Sequence, residues 1–311
     1  MSYLVHLKRG KKTYYYLVEN IKVSGQQRRQ IRQYVGTQNP SENRLRMLFA
    51  NFEKKVEAEK MKRFGSHYLT KDEINEIDQL NADFWSRYRK QNKTVQNQFD
   101  QNFVMAFVYN TNSIEGSTLT PKEVALLLGQ GIAPNKPIED VLEAKNAQAA
   151  LEYVKQYSGD LSEDLLLELH RRYFFQTMPY IAGQYKTKEN RVHGSSFDTT
   201  PPHLVPGAMK EFLLEYQKFK KQLHPLELAA WVHWKITFIH PFQDGNGRIA
   251  RLVMNFILHR NSYALIDIKT KEKHAYFKAL ERSNYAENGA ALATRLVKHF
   301  KKQYQYALVD G

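Results

Sequence analysis

Two kinds of spacing divide the chain. In the first 38 residues, aromatic and β-branched positions crowd into short runs, Tyr14 to Val18 and Gln30 to Val35. Ser24-Gly25 separates them and Gly36 closes them, the pattern of a small antiparallel meander. After Asn39-Pro40, apolar positions recur every three or four residues, and Leu45, Leu48, Phe49, Phe52 and Val56 predict a helix over 41–63. Thr70 with Glu73 is a capping box ahead of Ile74, Ile77, Leu80, Phe84 and Tyr88. Thr120 with Glu123 is a second box, with Pro121 at the first helical position. Helical spacing continues over 95–110, 137–157, 162–176, 206–222, 225–238, 246–260, 272–286 and 289–307. The Gly-, Ser- and Thr-rich stretch 183–202 interrupts it and reads as a hairpin or flap. The expected architecture is mostly α, with a meander over 1–38, linking helices over 39–95 and a helical core over 96–305.

Composition narrows the class. Hydrophobic residues make up 42% of the 311 positions and charged ones 25%, enough for a sizeable core. No run of eighteen apolar residues suggests a membrane span, and the first residues lack the apolar stretch of a secretory signal. Cysteine is absent, which excludes disulfides, thiolate metal sites and cysteine nucleophiles and leads us to expect a cytoplasmic protein. The net charge of +14 is concentrated at one end, with 15 Lys and Arg against 5 Glu in residues 1–63. Such a segment suits nucleic acid, with Tyr14, Tyr15 and Tyr16 stacking on bases and Arg28, Arg29 and Arg32 meeting phosphate. In the opposing reading, alternate tyrosines pack on the helices after Pro40 and the arginines are a solvated face.

Most of the chemistry lies in His240-Pro-Phe-Gln-Asp-Gly-Asn-Gly-Arg-Ile-Ala-Arg251. The apolar helix before it must stop ahead of Pro241, and a second helix starts near Asn246. The loop between them opens onto that helix's N-terminus, where unpaired N–H groups and the macrodipole favour an anion. Gly245 and Gly247 let a phosphate approach the backbone. Arg248 and Arg251 share a helix face beside this cradle, suited to a polyphosphate chain. Asp244 is a hard oxygen ligand placed for Mg2+, and His240 can accept a hydroxyl proton near neutral pH. Phe242 is expected to point inward and pin the loop.

The same string resembles the Fic/Doc family motif H-P-F-x-[DE]-G-N-G-R-x-x-R at every specified position. The resemblance implies a Fic-type helical bundle core with a β-hairpin flap, and transfer of AMP from Mg2+-bound ATP to a Ser, Thr or Tyr hydroxyl of a protein substrate. It assigns His240 as the base, Asp244 as the metal ligand, and Gly245, Asn246 and Gly247 as the cradle. Arg248 and Arg251 would hold the phosphates. Upstream, Thr111-Asn-Ser-Ile-Glu115-Gly116 is similar to the family's inhibitory motif, [ST]-x-x-x-E-[GN]. A carboxylate at a helix C-terminus opposes the macrodipole and gains from a cationic partner. The resemblance supplies Arg251, a pairing that would occupy the place of the ATP γ-phosphate.

Weaker similarities extend the resemblance. Glu143 to Asn146 is similar to a family core helix. Gly183 to Lys186, with His193, Gly194, Ser195 and Ser196, resembles the flap that lays a target segment over the site by strand addition. Tyr276, Phe277 and Asn284 match positions that enclose adenine. Rival readings are removal of AMP from a modified protein at the same site, another nucleotide or phosphocholine donor, and a nucleic-acid-binding regulator. A homodimer is one way to hold the Glu115 brake closed.

Overall fold

The computed structural model describes residues 3–10, 12–24, 27–62, 68–190 and 198–308. It divides into two compact units, Met1–His67 and Tyr68–Gly311.

The first unit is an antiparallel sheet of β1 (Tyr3–Arg9), β2 (Lys12–Ser24) and β3 (Gln27–Gly36), ordered as in sequence, followed by the helix α1 (Glu42–Lys62). β1 is a strand beyond the two runs singled out by composition; it pairs residue for residue with β2 from Tyr3↔Val18 to Arg9↔Lys12. A three-stranded sheet needs a covered face. Here Leu48, Phe49, Phe52 and Val56 of α1 pack against Leu4, Leu17, Ile31 and Val35.

The second unit is helical. It comprises α2 (Lys71–Lys90), α3 (Lys93–Glu115), α4 (Pro121–Gln130), α5 (Ile138–Gln156), α6 (Glu163–Phe174), α7 (Val205–Phe219), α8 (Pro225–Ile239), α9 (Asn246–Arg260), α10 (Lys273–Ala286) and α11 (Ala290–Tyr304). Both capping boxes form as their spacing requires: Thr70 with Glu73 opens α2, and Thr120 with Glu123 opens α4. Twelve of the fifteen residues of α9 are buried, so it is the central helix and not an amphipathic surface one. α8, more apolar still and largely buried, packs along it, and α3, α5 and α6 complete its surround.

α3 runs five residues past the apolar spacing that ends at Asn110. Its last turn is held by polar tertiary bonds. Asn110 Nδ2 donates to Asp267 (2.8 Å), Thr111 Oγ1 accepts from Arg251 (2.9 Å) and Asn112 Oδ1 accepts from the Tyr173 hydroxyl (2.6 Å). Gly116 then ends the helix in the left-handed region at φ 108°, where glycine is the favoured residue.

Candidate active site

The site is built where α8 gives way to α9. His240 ends α8 in the left-handed conformation (φ 56°, ψ 58°), a costly state for a non-glycine residue. Its amide donates to Ile236 O at 2.9 Å, and its Nδ1 lies 3.4 Å from Thr237 O. With Nδ1–H directed at that carbonyl, the Nε2 lone pair is left to accept a proton. Burial, and then the ammonium of Lys186, push the imidazole down to about 4, so it is neutral at physiological pH.

The following loop is bracketed from within. Phe242 is fully buried and stacks on His170 with ring centroids 4.0 Å apart. Asn246 accepts from Phe242 N and donates to Phe242 O, each at 2.8 Å, so its side chain closes the loop. His170 Nδ1 accepts from Gly183 N (2.9 Å), which leaves its Nε2–H to donate to Asp244 O (3.1 Å). Burial holds this imidazole neutral as well, at about 4. A β-carbon at Gly245 (φ 79°) would lie 2.3 Å from the Phe174 ring, so the turn admits only glycine.

α9 begins at this glycine with no side-chain cap. Its first N–H groups therefore remain available to an anion. Arg248 is buried, with its guanidinium bonded to Glu143 and, at 3.0 Å, to Asp244, and lies 4.5 Å from the Phe174 ring centroid. Burial raises the Glu143 carboxyl, against the pull of Arg248. Asp244 is half exposed; its Oδ1 accepts from Gly245 N and its Oδ2 from Arg248.

Arg251 is 2% exposed and fully engaged. Nε donates to Thr111 Oγ1 (2.9 Å), Nη2 to Thr111 O (3.0 Å) and to Glu115 Oε1 (2.6 Å), and Nη1 to the Tyr276 hydroxyl (3.4 Å). Burial works against its charge, and Glu115 more than restores it, raising its pKa. Because arginine only donates, the Tyr276 proton goes to His233 Nε2 at 2.9 Å. A β-carbon at Gly247 would sit 2.6 Å from Glu115 Oε1 and 3.1 Å from Arg251 Nη1. The Glu115 carboxylate thus lies directly over the start of α9.

A stem formed by the segments on either side of residues 191–197 meets the same loop; the expected flap itself falls largely on residues outside the described ones. Lys186 is 4% exposed, and its amide donates to Pro241 O at 2.9 Å. Its ammonium donates to Asn190 Oδ1 (2.7 Å) and Thr199 Oγ1 (2.9 Å), and burial brings it down to about 8. Asn190 Nδ2 donates to Phe242 O (3.0 Å) and Gln243 O (3.1 Å). His193, Gly194, Ser195 and Ser196 lie outside the described residues.

The expected adenine-facing residues divide. Tyr276 is fully buried behind Arg251, Phe277 is exposed beside Lys273, and Asn284 Oδ1 accepts from Trp234 Nε1 at 3.1 Å. Sequence reading missed His170, His233 and the clamp by Lys186 and Asn190. It placed Glu143 on a core helix without its partner Arg248.

Comparison with known proteins agrees with this architecture. The Fic/DOC family model matches residues 160–258. "Protein adenylyltransferase Fic" of Nematostella vectensis is 34% identical over 190 residues, covering 58% of this chain and 43% of that protein. "Protein adenylyltransferase fic-1" of Caenorhabditis elegans is 30% identical, covering 58% and 37%. The chain therefore spans about two fifths of the length of these two relatives. Among solved structures, the Caenorhabditis elegans Fic-1 fragment is 24% identical (TM-score 0.67; 86% of this chain, 77% of that one) and has the same fold. A Fic domain containing signaling protein from Bacteroides thetaiotaomicron superposes with a TM-score of 0.68 at 31% identity, covering 75% of this chain and 95% of that one. With so much of a relative matched at that identity, and with the uncapped helix, the bracketed loop and the two arginines in place, this chain belongs to the Fic/DOC family.

Proposed function

We infer that the chain transfers AMP from ATP to a Ser, Thr or Tyr hydroxyl of a protein, and that the conformation described above is its restrained state. One observation carries this: a carboxylate, Glu115, is bonded to Arg251 over the uncapped start of α9. An anion of the chain's own stands where the cradle would receive a phosphate. The similarity to protein adenylyltransferases supports the reading.

His240 Nε2 takes the proton of the attacking hydroxyl. The new bond joins that oxygen to the α-phosphorus, the bond to the β-phosphate oxygen breaks, and pyrophosphate leaves. Arg248 and the N–H groups of α9 meet the charge of the phosphates. A carboxylate kept 2.6 Å from Arg251 denies the γ-phosphate its cation and misaligns the α-phosphorus.

Asp244 fits Mg2+: it is a half-exposed hard oxygen ligand beside the cradle. Among the described residues no group of three His, Asp or Glu could hold a metal. Asp244 would be the residue that holds a magnesium ion here. The ion would supply neutralisation of phosphate charge. Among the described residues no helix is long and apolar enough to cross a membrane. The absence of cysteine supports action in the cytoplasm.

The test is incubation of Glu115→Gly and of Glu115→Gly/His240→Ala with Mg2+ and ATP labelled at the α-phosphate. The single variant should label itself at least tenfold faster than the parent chain, and the double variant should bind ATP without labelling. A Glu115→Gly protein that binds ATP and never becomes labelled would overturn the reading. Mass spectrometry of the product reports the group transferred and the side chain that accepts it.

A further inference from the structure

The sheet of the first unit has a face that the chemistry above does not use. Partners in an antiparallel ladder point to the same side. The pairs Tyr3↔Val18, Val5↔Tyr16, Leu7↔Tyr14, Tyr16↔Tyr34 and Val18↔Arg32 therefore put Tyr3, Tyr14, Tyr16, Arg32 and Tyr34 on one face. Lys12 follows on the same side by alternation. The opposite set, Leu4, Leu17 and Ile31, faces α1, so the helix covers the other face.

On the tyrosine face, Tyr34 is 54% exposed and Tyr3 43%. The Tyr34 ring lies 5.4 Å from that of Tyr16 and 6.3 Å from that of Tyr14, and the Arg32 guanidinium lies 5.8 Å from the Tyr16 ring centroid. Residues 3–36 contain eight Lys and Arg against a single carboxylate, Glu19. Glu19 falls on the side that faces α1 and is buried, so it does not offset the charge of the tyrosine face.

We propose that this face binds single-stranded nucleic acid, with bases stacked on Tyr16 and Tyr34 and phosphates held by Arg32 and Lys12. Ring faces beside cations, without carboxylates, form the combination that accepts unpaired bases of any sequence together with their backbone. The stacked bases of a duplex offer no free ring faces to such a platform. An acidic peptide would use the cations and leave the rings unfilled. The assignment stands apart from AMP transfer, because it rests on residues of the first unit alone.

The experiment uses the full chain and follows the fluorescence anisotropy of a labelled uridine homopolymer, with a mixed-sequence DNA duplex as comparison, over a range of salt. The single strand should bind more tightly than the duplex and weaken as salt rises. Tyr16→Ala and Tyr34→Ala should each lower affinity about tenfold. Arg32→Ala should reduce the slope of log affinity against log salt by about 0.7. Tyr34→Phe, which keeps the ring, should restore binding and separates stacking from a folding defect. His240→Ala should bind as the parent does. Three results would each defeat the proposal: no binding of the homopolymer at low salt, equal binding of the duplex, or affinity unchanged by Tyr16→Ala and Tyr34→Ala together.

Discussion

Arg248 shows how a single side chain ties the site to the core. Its guanidinium is shared between Glu143 and Asp244, and its Nε has no partner among the described residues. Removing Glu143 leaves the buried guanidinium compensated only by the half-exposed Asp244. Glu143→Ala should therefore lower folding stability by about 3 kcal/mol in urea denaturation, and Glu143→Gln by less, since an acceptor remains. Equal stability of Glu143→Ala and the parent would show that the pair is not structural. Glu143 is also where sequence reading reached its limit. His240, Asp244, Gly245, Asn246, Gly247, Arg248 and Arg251 lie within twelve residues, so their spacing alone brings their chemistry together. Glu143 stands 105 positions from Arg248, and His170 stands 74 from Asp244. No local period or spacing encodes such a pair; only the packing of α5 and α6 on α9 creates it. Glu115 was legible because its motif is local, although its distance to Arg251 was not.

At the scale of elements, the capped helices were readable because a capping box is a four-residue signal, and the turn at Gly245 because Pro241 and two glycines interrupt two apolar helical runs. The end of α3 was less so. A polar stretch, Asn110 to Asn112, breaks the apolar period, yet the helix continues because those polar groups find buried partners across the fold. The stem flanking residues 191–197 follows the same logic: Lys186, Asn190 and Thr199 join two segments through polar bonds and then grip the carbonyls of Pro241, Phe242 and Gln243. The stem is thereby registered on the loop that carries His240. Asn190→Ala removes both side-chain bonds to that loop and leaves the α9 cradle intact. In a Glu115→Gly background, it should slow modification of protein about tenfold while ATP affinity changes less than twofold, the size of effect small misplacements produce. Stopped-assay labelling paired with nucleotide titration reads both; a parallel loss of ATP affinity would show that the stem supports the cradle itself.

At the scale of the whole molecule, four shielded histidines among the described residues link the fold to pH. Burial lowers His170, His240 and His299 to about 4 and His233 to about 3, from an ordinary value of 6.5. A depressed imidazole is held neutral by the fold, so between pH 6.5 and 4 the unfolded chain binds more protons than the native one. Stability is therefore fully present above about pH 6.5 and is lost as pH falls towards the folded values. Each fully buried histidine should remove roughly 3 kcal/mol by pH 4. The carboxylates divide: Asp160, partly exposed and held ionised by Lys220 and Tyr216 against its partial burial, stays at about 2, so its loss begins below the histidine window, whereas Glu143 and Asp267, raised by burial, offset part of the histidine loss. The urea midpoint of the second unit should thus decline steadily from pH 6.5 to 4.5. His233 lies nearest the restrained pair, as the acceptor of the Tyr276 hydroxyl that backs Arg251, and it is fully buried. His233→Asn keeps an acceptor without a titrating ring and should flatten part of the decline. A midpoint that stays level across this window in the parent chain would mean that these rings are reached by water and protonated within the native fold. The neutral imidazole assigned to His240 would then lose its physical basis as well.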